Sequence, residues 1–334
     1  MSNLDELYAI ALSQFKESKR YQGTQAVVAA GSFEPVKSCF SGADLKLARE
    51  TADKCRELNL LLLPITSKLY PNQLREISAP PSILYVHSLN QEREIPEAAI
   101  SIVGTRAASI DVCSRASEMS ATIARAGITV VSGLALGIDG AAHRGALKSG
   151  IACPTIAVLA HGLDRVYPPT HVGLAREILD AGGLIISEYA PGVEPMKHHF
   201  LARNRIIAGL SKGVVVVQAG ARSGSLVTAN FAADYGRDVF IVQDPSDDER
   251  SLGGAAMIEQ GAIAVSCAGE VLREYNIVVD DQKNYDTGAW RTMNFESFKT
   301  VTALSSGEIL KLELEGRLIR LPGNQVRVSL QTLQ

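Results

Sequence analysis

The chain of 334 residues has few of the residues and motifs that mark whole classes of protein. Its five cysteines (Cys39, Cys55, Cys113, Cys153, Cys267) are odd in number, scattered and never spaced C-x-x-C. Neither a disulfide framework nor a zinc knuckle is encoded, and the five read as reduced core thiols. His198 and His199 are adjacent while His87, His143, His161 and His171 are isolated, so zinc-site spacing is missing too and no metal is expected. No apolar run reaches the roughly 18 residues that span a bilayer, and the N-terminal MSNLDELYAIALSQF is acidic where a signal peptide is basic. The expectation is a cytoplasmic protein with no membrane partner. Charge of neither sign is in large excess: 33 Lys and Arg stand against 36 Asp and Glu. That excludes a generally basic protein that coats nucleic acid and leaves room for a local basic cleft. G-x-G-x-x-G and G-x-x-x-x-G-K-[ST] are both absent, which removes the sequence grounds for a dinucleotide dehydrogenase or a P-loop ATPase. Gly209-Leu210-Ser211-Lys212-Gly213 does satisfy G-x-S-x-G, but a hydrolase elbow needs a strand before the serine and a helix after it. Here helix-like RNRIIAGL precedes and strand-like VVVVQ follows, so Ser211 reads as a helix terminus.

What is present is alternation. From residue 100 onward short continuous apolar runs (AISIVG, ITVVSG, TIAVLA, LIISE, GVVVVQA, DVFIVQ, AIAV) alternate with helical stretches at 109–126, 139–150, 171–182, 200–210, 224–236 and 252–260. This pattern specifies an α/β fold, a doubly wound, mostly parallel, extended Rossmann-like sheet covered by helices on both faces. Residues 1–62 read as a small helical cap, with helices at 2–19 and 42–58, and residues 63–280 as the core. Residues 287–334 read as helix (294–303), helix (306–315) and a hairpin around Pro322-Gly323-Asn324, a winged-helix-like module. The acidic surplus is concentrated in residues 245–286, which carry 3 Lys and Arg against 9 Asp and Glu.

Four stretches stand out together: Val103-Gly104-Thr105-Arg106, then Ser132-Gly133-Leu134-Ala135-Leu136-Gly137-Ile138-Asp139, then residues 200–211 (FLARNRIIAGLS), then residues 223–229 (SGSLVTA). With Tyr70-Pro71, Gly162-Leu163-Asp164, Tyr167-Pro168, Ser187-Glu188 and Gly236-Arg237, they make the chain resemble the DprA/Smf (DNA processing protein A) family from about Leu63 to Ala264. The resemblance implies an extended Rossmann-like domain that binds single-stranded DNA, forms a homodimer and hands the strand to a RecA-type recombinase, as in natural transformation. It implies no enzymatic step and no cofactor. Departures from the family pattern fall at Gln218-Ala219, where Glu-Ala is common, at Asp244-Pro245 and at Gly254-Ala255-Ala256. The first 60 or so residues show no helix-hairpin-helix signature.

The residues themselves suit phosphate. Backbone N–H groups at helix N-termini and glycine turns are donors, and arginine supplies a forked, permanent charge. The candidate DNA-binding set is Gly104 and Arg106 after the first core strand, Ser132 and Gly133 at the next strand end, Arg203, Asn204 and Arg205 opening the 200–210 helix, and Ser223, Gly224, Ser225 and Thr228 opening another. Lys197 and Arg222 either widen the same rim or are solvated charges. Phe200 and Tyr167 either stack on a base or belong to the core. Asp139 and His143 read as scaffold rather than ligands.

Two other functions compete. One is a nucleotide-binding or nucleotide-hydrolysing protein akin to the LOG-type phosphoribohydrolases, which resemble P-G-G-x-G-T-x-x-E at the corresponding loop. Here Thr228 stands where that glutamate would be, and a hydroxyl cannot stabilise an oxocarbenium-like centre as a carboxylate does. The other is a ligand sensor signalling through its C-terminal module, whose SGEILKLELE helix, with three acids and one lysine, suits protein contact better than a DNA groove.

Overall fold

The computed structural model describes residues 3–90, 94–243 and 251–277, and then 290–295, 298–299, 305, 308–309, 311–312, 318–321 and 325–329. It divides into two units, Met1–Tyr275 and Asn276–Gln334.

The larger unit is built on seven parallel strands: β3 (Ala99–Val103), β4 (Thr129–Ser132), β5 (Thr155–Leu159), β6 (Leu184–Ser187), β7 (Gly213–Val216), β8 (Asp238–Val242) and β9 (Ile263–Val265). Beyond β6, β2 (Ile83–His87) runs antiparallel to it and β1 (Leu61–Pro64) antiparallel to β2, with the short α4 (Asn72–Arg75) between them in the chain. The order is β1-β2-β6-β5-β4-β3-β7-β8-β9. Every residue of β3 to β7 is buried, as the unbroken apolar runs require of strands covered on both faces.

From β3 the chain steps one way across the sheet through α5 (Ile110–Arg125), α6 (Ile138–Leu147) and α7 (Val172–Asp180). It then returns from β6 to β7 through α8 (Lys197–Gly209) and moves the other way through α9 (Gly224–Asp234) and α10 (Leu252–Glu259). Right-handed crossovers place these two sets of helices on opposite faces; α5 packs on α6, and α8 on α9. The fold expected from the alternation is therefore present, and no helix among the described residues is long and apolar enough to cross a membrane.

The N-terminal stretch differs from expectation. In place of one helix over 2–19 there are α1 (Asn3–Ser13) and α2 (Glu17–Ala30), because the Ser13 hydroxyl donates back to the Ile10 carbonyl at 2.7 Å and the chain turns. Then α3 (Gly42–Glu57) starts at a capping box between Ser41 and Asp44. These helices share one apolar core with the sheet, since Leu7, Ile10 and Ala52 cluster with Leu84, Val158 and Ile206.

In the second unit, β10 (Trp290–Asn294) pairs with β12 (Gln325–Ser329), which pairs with β11 (Leu318–Leu321), all antiparallel. The expected hairpin strands are present. Trp290–Asn294, read from sequence as linker running into a helix, is instead a third strand. Most of the expected helices, and Pro322-Gly323-Asn324 itself, lie outside the described residues.

Candidate nucleic-acid interface

β3 and β7 are neighbours, yet the chain leaves β3 for a helix on one face and β7 for a helix on the other. Such a switch point opens a crevice at the carboxyl ends of the strands, where open α/β sheets bind ligands. A cavity of about 200 Å³ lies there. Gly104, Thr105 and Arg106 after β3, Phe200, Arg203 and Asn204 on α8, and Ser223, Gly224, Ser225 and Thr228 at the start of α9 line it, together with Ala135 and Asp139. Eight of the thirteen candidate residues thus meet in one concavity: Gly104, Arg106, Arg203, Asn204, Ser223, Gly224, Ser225 and Thr228.

The two arginines differ in setting. Arg106 is exposed, with its guanidinium carbon 5.1 Å from the Phe200 ring centroid. Arg203 is buried, 6.0 Å from the same ring; its Nη1 donates to the carbonyls of Gly133, at 2.9 Å, and Val158, while its Nε has no partner. Burial, reinforced by nearby Arg106 and opposed by Asp139, pulls the Arg203 guanidinium down to about 10, so it stays protonated at neutral pH. Tyr167, 44% exposed, packs on Phe200 with ring centroids 5.8 Å apart. Elsewhere in the lining Ser223 caps α9, and Asn204 Nδ2 donates to the Gly224 carbonyl at 3.0 Å, tying α8 to the first residue of α9. Two cations, an aromatic face and a helix N-terminus therefore converge, an arrangement that accepts an anion carrying a planar group.

Five candidates are placed elsewhere. Ser132 is wholly buried and donates to the Ile102 carbonyl at 2.7 Å, tying β4 to β3. Gly133 N–H, expected to point outward, donates to Asp139 Oδ2 at 3.2 Å, and a Cβ on Gly133 would overlap the Arg203 guanidinium. Arg205 donates from Nη2 to Glu188 Oε2 at 2.6 Å in a buried ion pair. Burial works against the Arg205 charge, but the Glu188 carboxylate more than compensates and holds the guanidinium above its ordinary value. Lys197 and Arg222 are exposed and outside the cavity lining. The expectation that Arg203–Arg205 open a helix also changes. α8 starts at Lys197, so the three lie mid-helix and the helix dipole adds nothing at them.

Asp139, left out of the candidate set, lines the cavity. Its carboxylate accepts from the N–H groups of Gly133 and Ala135, at 3.2 and 3.4 Å, and burial raises its pKa against the pull of Arg203. Ser211, the false elbow serine, is buried 2.7 Å from Ser101 Oγ. Among the described residues no group of His, Cys, Asp and Glu could hold a metal ion, and all five cysteines are free.

Residues 61–276 match the family model described as DNA recombination-mediator protein A. Protein Smf of Escherichia coli is 42% identical over 212 residues, which are 63% of this chain and 55% of that protein. DNA processing protein DprA of Streptococcus pneumoniae is 40% identical over 215 residues, 63% of this chain and 73% of that one. The chain thus spans about half the length of the Escherichia coli and Synechocystis Smf proteins (55% and 51%). The X-ray structure of the Streptococcus pneumoniae protein superposes with a TM-score of 0.66 at 32% identity, covering 82% of this chain and 98% of that one. A structure of DNA processing protein A from Helicobacter pylori, described for its single-stranded DNA binding mode, gives 0.54 at 29%, covering 62% and 92%.

Proposed function

The chain belongs to the DNA recombination-mediator protein A family, and from that membership we propose that it captures single-stranded DNA without regard to sequence and loads a RecA-type recombinase onto it. Incoming strands in natural transformation and strands exposed by damage are both suitable substrates. The observation that carries this reading is the switch-point cavity, where Arg106 and Arg203 share the Phe200 ring in one lining with the start of α9. Phosphate would meet the guanidinium groups and the α9 N–H groups, and a base would lie against the aromatic side. The single-stranded DNA binding named for the Helicobacter pylori neighbour supports the same assignment.

No covalent chemistry is part of the proposal. Asp139, the carboxylate lining the cavity, already accepts two backbone hydrogen bonds, and Thr228 offers only a hydroxyl where a glycosidic cleavage site needs an acid. The protein acts as a homodimer in this reading, with residues 287–334 as an accessory module. Titrating labelled single- and double-stranded oligonucleotides at two salt concentrations tests it. The expected result is a preference for the single strand, with a salt slope near −0.7 for each phosphate neutralised. Equal affinity for both forms would overturn the proposal, as would loss of nearly all binding on deleting residues 287–334.

A further inference from the structure

Leu134, in the turn between β4 and α6, is wholly buried and left-handed, with φ +57°. A branched residue holds that conformation only where its surroundings impose it. Both of its backbone polar groups end on histidines. The Leu134 N–H donates to His143 Nε2 at 3.3 Å, and the Leu134 carbonyl accepts from His171 Nδ1 at 2.9 Å. His143 Nε2 is therefore the acceptor, so Nδ1 carries the ring proton and donates to Thr155 Oγ1 at 2.7 Å. The Thr155 hydroxyl passes its own hydrogen to the Val130 carbonyl at 2.7 Å. One chain of hydrogen bonds thus runs from β4 through two imidazoles and clasps a single strained residue.

The turn that this residue governs touches both cation-bearing elements of the cavity. On one side the Gly133 carbonyl receives Arg203 Nη1. On the other, Gly137 has φ +75° and so little room that a Cβ there would lie 2.7 Å from the Arg106 carbonyl oxygen, and the Ile138 N–H donates to the Thr105 carbonyl at 3.3 Å. We propose that His171 and His143 are positioning residues of the strand-binding site: by clasping Leu134 they set turn 133–137, and the turn sets the spacing between Arg203 and Arg106. The proposal rests on the reading of the cavity as a single-strand site. Without the His171 donor, the Leu134 carbonyl has no partner and the turn can leave its left-handed form. The Gly133 carbonyl then withdraws from Arg203, and the two guanidinium groups no longer meet one strand together.

The test uses the full chain and a labelled oligothymidylate, with Kd measured against salt and the active fraction fixed by stoichiometric titration. His171→Leu is expected to raise Kd about tenfold and to make the log–log salt slope shallower by about 0.7, the loss of one phosphate contact. His171→Asn, whose amide N–H stands where Nδ1–H stood, should keep the slope and most of the affinity. A slope unchanged in His171→Leu, with only the active fraction or the Tm lowered, means a purely structural role and overturns the proposal. Should His171→Leu fail to fold, Thr155→Val, which removes the hydroxyl that fixes the His143 tautomer, reads the same slope, and no change there is equally fatal. Arg106→Ala separates this proposal from its premise. If wild type binds no strand, or Arg106→Ala binds as wild type does, the single-strand reading fails and the positioning role fails with it. If Arg106→Ala loses affinity while His171→Leu does not, the positioning role alone fails.

Discussion

The strand ends of β3 and β7 and those of β4, β5 and β6 lie along one edge of the sheet and draw on the same residue types, yet they do different work. After β3 and β7 the guanidinium of Arg106 and the first turn of α9 face a cavity. After β4, β5 and β6 most of the polar groups are engaged within the protein, although His161 Nε2 and Glu188 Oε1 are buried without a hydrogen-bond partner. Ser132 ties β4 to β3, the Ser187 hydroxyl donates to the His161 carbonyl at 2.8 Å, Glu188 holds Arg205, and His143 and His171 clasp Leu134. Leaving a buried polar group unpaired is costly, so the bonds of the second set stiffen the edge from which the first set reaches out.

Removing members of each set should separate stability from binding. The largest effect is expected for Arg205→Met, which leaves the Glu188 carboxylate buried and uncompensated and should cost about 3–5 kcal/mol, read as the urea midpoint. Gly133→Ala forces a methyl group into the Arg203 guanidinium and should cost about 1–3 kcal/mol, with weaker single-strand binding by the molecules that remain folded. Arg106→Ala reverses the pattern, with stability within about 0.5 kcal/mol of wild type and Kd raised about tenfold. Ser132→Ala sits at the small end, losing about 1 kcal/mol and leaving Kd unchanged; a change in Kd there would erase the division between the two sets.

The stiffening set also has a pH signature. Burial, with the nearby His171, Arg203 and Arg144 charges, pushes His143 down to about 3, so the folded protein keeps this imidazole neutral. The unfolded chain protonates it near its ordinary value of about 6.5. Its contribution is complete above that value and is lost as pH falls toward about 3, because the unfolded state then binds the extra proton. Urea midpoints between pH 7 and pH 4 should fall less steeply in His143→Leu than in wild type. Parallel curves would remove His143 from the account.

Much of the architecture was legible because unbroken apolar runs such as AISIV and GVVVV suit strands buried on both faces. The loops flanking the switch point were legible too, since glycine, serine and arginine cluster after those runs. Arg106 and Arg203 line the cavity, but Arg205, grouped with them from sequence, does not, although a signal existed. Arg203 and Arg205 are two apart, about 200° around a helix, and cannot share a face. The Pro195-Met196-Lys197 run also marks a helix start ahead of Phe200. What the chain could not disclose are partners distant in sequence. Glu188 for Arg205, Ile102 for Ser132 and the Val158 carbonyl for Arg203 become neighbours only after the sheet is assembled.

The most direct test sets Arg106→Ala beside Arg205→Met, each titrated with the same labelled single strand and corrected for its folded fraction. The account predicts that the first loses about tenfold in affinity with a shallower salt slope, while folded molecules of the second bind as wild type does. Wild-type binding by Arg106→Ala, or loss confined to folded Arg205→Met, would contradict it.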